Sequence, residues 1–276
     1  MTTPAQLRAA RLHALHRPGA PLVLPNAWDA ASARIIEDAG APAVATTSAG
    51  VAWSLGVRDG GGLDRDRAVA AIARVSAAVA VPVTADVEDG YAPDPAGVAR
   101  TVDEVLAAGA VGINVEDVAP GDPTALRSVV DQQERITAAR EAARRAGVEL
   151  FVNARVDTYL RAVGEPAGRL DETLRRAEAY LAAGADGIFV PGVVDPATIA
   201  RLVAGVAGPV NVLAGPGAPG VAALAQLGVA RVSLGSALAE AAYGLVRRAA
   251  TEALGGGSYA TLEPAVPYGE LNALLG

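Results

Sequence analysis

The sequence predicts a (β/α)8 barrel, folded as a single domain across residues 1–276. Three observations carry this expectation. Eight short apolar runs alternate with helical stretches along 276 residues, a normal length for a fold that typically needs ~250. A recurring break ends a helix and begins a strand at Ala39-Gly40-Ala41, Ala108-Gly109-Ala110, Ala183-Gly184-Ala185 and Leu227-Gly228-Val229. The stretch after the first apolar run, Pro25-Asn26-Ala27-Trp28-Asp29, is not the Gly-rich fingerprint that an open, doubly wound sheet would more often show. The barrel is expected over residues 20–245, with a helical extension over 236–276.

Residues 4–16 form an amphipathic leading helix, and its His13 and His16 are assigned to its surface. Strand one is Pro21–Pro25, and helical spacing runs from Asn26 to Asp38 before Gly40. Strand two is Ala43–Thr47, followed by Ser48-Ala49-Gly50 and a Gly-rich loop over Trp53–Gly62. Asp64 caps a helix reaching Ala78; strand three is Pro82–Asp86; a helix runs from Pro95 to Ala108. Strand four is Val111–Asp117, and a long polar-faced helix is expected from Thr124 to Ala146. Strand five is Leu150–Asp157, then a helix over Asp171–Ala183. Strand six is Gly187–Pro191, a helix follows over Pro196–Ala207, and strand seven is Pro209–Leu213. A short helix from Gly220 to Leu227 precedes strand eight, Arg231–Gly235. A helix from Ser236 to Leu254 and a short piece, Tyr268–Leu275, close the chain. Trp28 and Trp53 are read as packing residues.

Composition narrows the function. The net charge of −7 argues against nucleic acid and against an anionic membrane surface, both of which select clustered cations. No apolar run reaches the ~18 residues of a membrane span. The opening MTTPAQLRAARLHAL lacks the apolar core of a signal peptide, so a cytoplasmic location is expected. There is no Cys and no Lys, and all 23 basic residues are Arg. Thiolate nucleophiles and Schiff-base lysines are therefore excluded. Proton transfer falls to Asp, Glu, Tyr, Ser or Thr, or to metal-bound water.

The acids gather at strand ends, where a barrel keeps its active site. Asp86 and Glu88, two residues apart, point to one side of an extended chain, with Asp89 and Gly90 as the following turn. Glu116 and Asp117 end strand four, and Asp59 follows strand two. So many carboxylates around one point require a cation. A hard ion such as Mg²⁺, with Mn²⁺ as the alternative, suits oxygen ligands and keeps several waters. Without Cys, or His near the site, zinc does not fit. Arg155 pairs with an acid such as Glu116 or binds a substrate carboxylate or phosphoryl group. Thr47, Ser48 and Gly50 offer hydroxyls and amides to a small carboxylate, or simply form a turn. Tyr91 covers the site and donates a proton, or packs as a loop aromatic. Asn211 is the strand-seven candidate for substrate binding.

Ser54-Leu55-Gly56-Val57-Arg58-Asp59, Asp86-Val87-Glu88-Asp89-Gly90-Tyr91, Val115-Glu116-Asp117 and Asn153-Ala154-Arg155 together resemble the isocitrate lyase/phosphoenolpyruvate mutase superfamily. The resemblance implies a C-terminal helix exchanged between subunits of a homodimer or homotetramer. It also implies Mg²⁺ and a small anionic 2-oxo or 2-hydroxy acid that passes through an enolate. By the same resemblance, Asp86 is the direct metal ligand, Asp59, Glu88 and Glu116 hold metal waters, and Arg155 binds substrate. Thr47 and Ser48 lie where the family binds the substrate carboxylate. The loop after strand four departs from the pattern: Val118-Ala119-Pro120-Gly121-Asp122-Pro123-Thr124-Ala125-Leu126 holds neither the Cys of the isocitrate-cleaving members nor the Lys of the mutases. The resulting expectation is a Mg²⁺-dependent carbon–carbon lyase, of oxaloacetate-decarboxylase or 2-methylisocitrate-lyase type. The rivals are a P–C mutase or hydrolase, a metal-dependent aldolase, and a non-catalytic metabolite-binding barrel.

Overall fold

A computed structural model describes residues 2–119 and 121–276; Pro120, in the loop after strand four, lies outside the described residues. Strands β1 (Leu22–Leu24) and β2 (Asn26–Ala27) are one strand position divided at Pro25. Around it stand β3 (Val44–Thr46), β4 (Val83–Asp86), β5 (Gly112–Glu116), β8 (Phe151–Arg155), β9 (Gly187–Val190), β10 (Val210–Leu213) and β11 (Arg231–Ser233). All pairings in this sheet are parallel, and their order runs β1-β11-β10-β9-β8-β5-β4-β3-β2. The first position therefore pairs with β11 through β1 and with β3 through β2, which closes the barrel.

Asn26 and Ala27 were expected in a helix. They are strand because Asn26 serves the closure: buried, it donates to the Thr46 carbonyl and accepts from the amides of Leu234 and Gly235. The helix that follows, α2 (Ala30–Asp38), starts one residue after its cap, Asp29, whose carboxylate accepts from the Ser32 amide.

Helices cover the outside. α4 (Arg65–Ala78), α5 (Pro95–Ala107), α6 (Val129–Arg145), α7 (Arg169–Ala182) and α8 (Pro196–Gly205) present apolar faces to the sheet. Four of these begin at a capping side chain: Asp64, Asp94, Ser128 and Asp195. The loop read after strand two contains α3 (Ser48–Ser54). The helix expected from Thr124 starts at Val129, and the chain before it forms an antiparallel hairpin of β6 (Val118–Ala119) and β7 (Asp122–Leu126) over the mouth of the barrel.

The opposite mouth is plugged by α1 (Pro4–Leu15), whose Ala9 and Leu12 join Leu22, Leu24, Ala45 and Phe151 in a second core. This corrects the placement of His16. It is buried, stacks on Phe151 with ring centroids 3.8 Å apart, and donates from Nδ1 to the Leu12 carbonyl in its neutral form. His13 is partly exposed, at the Glu149 carbonyl. Beyond β11, α9 (Val221–Gln226) having preceded it, α10 (Ala237–Leu254) and α11 (Tyr268–Leu275) form the C-terminal extension. Only Ala239 of α10 is buried, while Tyr243, Leu245 and Val246 are exposed.

Candidate active site

The carboxyl ends of β4, β5 and β8 bring acids and arginine together. Asp86 ends β4, and its backbone amide donates to Thr46 Oγ1 at 2.9 Å. The Ser48 amide donates to Asp86 Oδ2 at 3.2 Å, and the Ser48 hydroxyl lies near enough to Asp59 to favour its charged form. Ser48 thus links the acid on the β3 loop to the acid on β4.

Glu88 follows in a left-handed conformation, φ 49°, which a non-Gly residue adopts at a cost. That turn swings its side chain back over the barrel. Oε2 accepts from the Gly61 amide at 3.2 Å, while Oε1 is buried without a hydrogen-bond partner. Tyr91, also left-handed at φ 50°, directs its hydroxyl toward Glu88 without completing a bond to that oxygen. Asp89 is a turn residue: it accepts from the Tyr91 amide and pairs with Arg127 at 2.7 Å.

Glu116 ends β5, and Arg155 ends β8 in register with it. Arg155 Nη1 lies 2.6 Å from Glu116 Oε2, and its Nε and Nη2 grip the two oxygens of buried Asp157 at 2.6 and 2.8 Å. Three of the five guanidinium N–H groups are engaged, which leaves two. The neighbouring Asp117 was counted among the converging acids, but it faces the other way. It is fully buried between the sheet and α7, bonded to Arg176 at 2.9 Å and the Tyr180 hydroxyl at 2.7 Å.

The cluster is electrostatically uncomfortable by itself. Burial first, then Asp86 and Asp59, push Glu88 up to about 7. Burial raises Glu116 above the ordinary carboxylate range; Arg155 opposes this, while Asp157, Asp86 and Glu88 add to it. Asp59 has an open surface, yet crowding atoms and then the Asp86 charge raise it too. Burial and Glu88 lift the Tyr91 hydroxyl well above its ordinary value. Burial opposes the charge on Arg155, but Glu116 and Asp157 outweigh it and raise its pKa. A cation among these acids would reverse the carboxylate shifts. Among the described residues no group of three or more His, Asp or Glu side chains is placed to hold a metal ion. Mg²⁺ needs only one or two direct carboxylates and keeps waters. The unpartnered Glu88 Oε1 and the all-oxygen donor set fit such an ion.

A cavity of about 540 Å³ opens above, lined by Glu88, Glu116, Gly61, Val118 of the hairpin, Arg58 and Arg161. Arg161 was not singled out from sequence. It sits four residues past Asp157 and touches it at 3.3 Å, and only its place on the cavity wall distinguishes it. Thr47 and Gly50 are buried beside this site, and the space around Gly50 is filled: a Cβ there would meet Thr47 Cγ2 and Trp28 Cβ, each at 2.8 Å. Asn211 is buried inside the barrel, bonded to Ser233 at 3.1 Å, away from the cavity lining.

Barrel, acid cluster and arginine are those of a mouth-of-barrel enzyme class, and sequence comparison gives the family. Residues 12–254 match the model of the phosphoenolpyruvate phosphomutase family, and the chain belongs to that family. An uncharacterized protein of Mycobacterium tuberculosis (strain ATCC 25618 / H37Rv) is 41% identical over 266 residues, 95% of each chain. A solved structure from Burkholderia cenocepacia J2315 superposes with TM-score 0.90 at 41% identity, covering 98% of this chain and 96% of the other. Phosphonopyruvate hydrolase, solved with oxalate and Mg²⁺, superposes with TM-score 0.82 at 27% identity over 99% of this chain and 95% of its own. Oxaloacetate decarboxylase of Rhodopseudomonas palustris (strain BisA53) is 34% identical over 154 residues, 52% of this chain and 48% of that one. The family's fold thus carries both carbon–carbon and phosphorus–carbon chemistry. Among the described residues no helix is long and apolar enough to cross a membrane.

Proposed function

We propose that this chain is a Mg²⁺-dependent lyase that cleaves a carbon–carbon bond of a small 2-oxo or 2-hydroxy acid, of which oxaloacetate is the simplest. The observation that carries the proposal is the buried, unpartnered Glu88 Oε1 within a ring of acids at strand ends. Asp86 would hold the ion directly, with Asp59, Glu88 and Glu116 holding it from farther out. When bound, the ion supplies a Lewis acid that polarises a 2-oxo group and offsets charge on the enolate oxygen.

The chain's own residues do the rest. The free N–H groups of Arg155 bind the substrate carboxylate, with Thr47, Ser48 and the Gly50 backbone at its side. Arg58 and Arg161 attract anions to the mouth, and the β6–β7 hairpin limits water. In decarboxylation the C3–C4 bond breaks, CO2 leaves, and the electron pair passes into the 2-oxo group. The proton that returns to C3 comes from Glu88, which lines the cavity, or from Tyr91, whose hydroxyl is directed toward Glu88. This chemistry needs an electron sink but no strong base, which suits a chain without Lys or Cys.

A second reading, P–C cleavage, draws on the likeness to phosphonopyruvate hydrolase; the absence of any Lys weighs against the mutase form. Release of the 2-oxo acid product, assayed with Mg²⁺, separates them: pyruvate from oxaloacetate, methylisocitrate and phosphonopyruvate, its longer homologues from 3-alkyl oxaloacetates, and glyoxylate from isocitrate. Turnover of at least one C–C substrate is expected. Turnover confined to phosphonopyruvate, followed by phosphorus NMR, moves the chain to the second reading, and none at all favours a non-catalytic barrel. Exchange of α10 between subunits of a dimer or tetramer belongs to this proposal. The exposed Tyr243, Leu245 and Val246 support it, and sedimentation of a monomer would end it.

A further inference from the structure

Arg231 is the unexplained charge in this molecule. It is fully buried inside the barrel on β11. Arg127, Arg135, Arg140 and Arg176 are buried as well, and each meets a carboxylate: Asp89, Asp131, Asp186 and Asp117 respectively. Arg231 meets none among the described residues. Its Nη2 donates to Asn114 Oδ1 at 3.2 Å and its Nε to Ser233 Oγ at 3.2 Å, both neutral groups, and Nη1 has no partner at all. A buried cation held only by an amide and a hydroxyl costs the fold stability. Its retention calls for a return elsewhere.

The network around it leads upward to the acids. Asn114 Oδ1 also accepts from Asn153 Nδ2 at 2.8 Å, and Asn114 stands opposite Asp86 in the β4–β5 register. Thr84, two residues below Asp86 on the same face of β4, has a buried hydroxyl without a partner. His16, the other titratable group near the plug, is neutral and bonded to Leu12. Arg231 is therefore an uncompensated positive charge in low-dielectric surroundings, bonded to Asn114, which stands beside Asp86 in the β4–β5 register. The field of Asp86 favours its charged form, and burial, the larger effect, leaves it at about 9, cationic at neutral pH.

We infer that Arg231 is a positioning residue, a buried counter-charge that tempers the acid cluster above it, so that the site holds a divalent cation less tightly and accepts an anionic substrate more readily. Among the described residues the acids at this end of the barrel are otherwise paired only by Arg155, at Glu116 and Asp157, and by Arg161, at Asp157. Without Arg231 the cluster would bind the ion at the expense of the anion that must lie beside it. This inference rests on the cation-site reading given under Proposed function.

The test compares the parent with Arg231→Met, Arg231→Gln and Arg231→Lys by calorimetry, with Mg²⁺ alone and then with oxalate at saturating Mg²⁺. The neutral variants should bind Mg²⁺ about tenfold more tightly and oxalate about tenfold more weakly, as loss of one nearby charge in a low dielectric requires. They should melt no lower than the parent. Arg231→Lys, compared with the parent at about pH 6, where a buried ammonium retains its proton, should keep both affinities within about threefold. A merely structural arginine predicts the opposite pattern, with both affinities falling together and Lys failing like Met. That result, unchanged Mg²⁺ affinity in a folded neutral variant, or neutral variants that do not fold would each overturn the inference. A parent that binds no Mg²⁺ overturns the cation site, and this inference with it.

Discussion

The Ser48 amide reaches Asp86 Oδ2 at 3.2 Å, so the turn after one barrel strand holds the acid that ends the next. Asp86 has no arginine partner of its own among the described residues, unlike Glu116. Its replacement should therefore damage function far more than folding. Asp86→Ala should lower kcat/KM by 100-fold or more, a loss of about 2.7 kcal/mol of transition-state stabilisation, with the melting temperature nearly unchanged. Steady-state kinetics on the true substrate beside a thermal melt checks both halves.

Arg155 behaves differently because it already carries structural bonds. Arg155→Met would strand Glu116 and leave the fully buried Asp157 with the longer Arg161 contact as its remaining ion pair. Removing one partner of a buried pair costs about 3–5 kcal/mol. Urea unfolding should show that loss, together with weakened substrate binding. Arg155→Lys should recover part of the stability but not the two-point grip on Asp157.

Gly50 is required by space. A methyl group there would press on Thr47 Cγ2 and Trp28 Cβ at 2.8 Å, and overpacking of this kind costs about 1–3 kcal/mol. Gly50→Ala should lower the urea midpoint accordingly without changing the slope.

His16 gives the fold an acid-sensitive point. Burial against Phe151, then the Arg231 charge, lowers its pKa to about 3. Between about pH 3 and 6.5 the unfolded chain binds the proton that the folded chain refuses, so stability is lost as pH falls through that window. The contribution lost by pH 5 is about 2 kcal/mol. Glu88, raised to about 7, acts with opposite sign, since its protonated form favours the folded state. The difference between variants is therefore the useful quantity: stability of His16→Leu should fall less than that of the parent between pH 7 and pH 5. Urea curves at the two pH values measure it.

Much of this architecture was legible in the residues. The Ala-Gly-Ala breaks placed the strand starts, and the acids at Asp86, Glu88 and Glu116 placed the mouth of the site, because unpaired charge is excluded from strand interiors. Spacing alone could have removed Asp117 from the cluster, since neighbours on a strand face opposite sides. Other features were invisible for long-range reasons. The burial of His16 depends on Phe151, which lies far along the chain. The antiparallel pairing of β6 with β7 is a contact between two segments that local periodicity does not report. Arg161 carries no motif, and Arg231 looked like one more residue of an apolar strand.

The most direct test of the central claim is Mg²⁺ binding by calorimetry to the parent and to Asp86→Asn. The proposal predicts one Mg²⁺ site in the parent, lost or weakened at least about tenfold, or 1.4 kcal/mol, when the direct carboxylate becomes an amide. Equal binding by both proteins, or none by the parent, would contradict it.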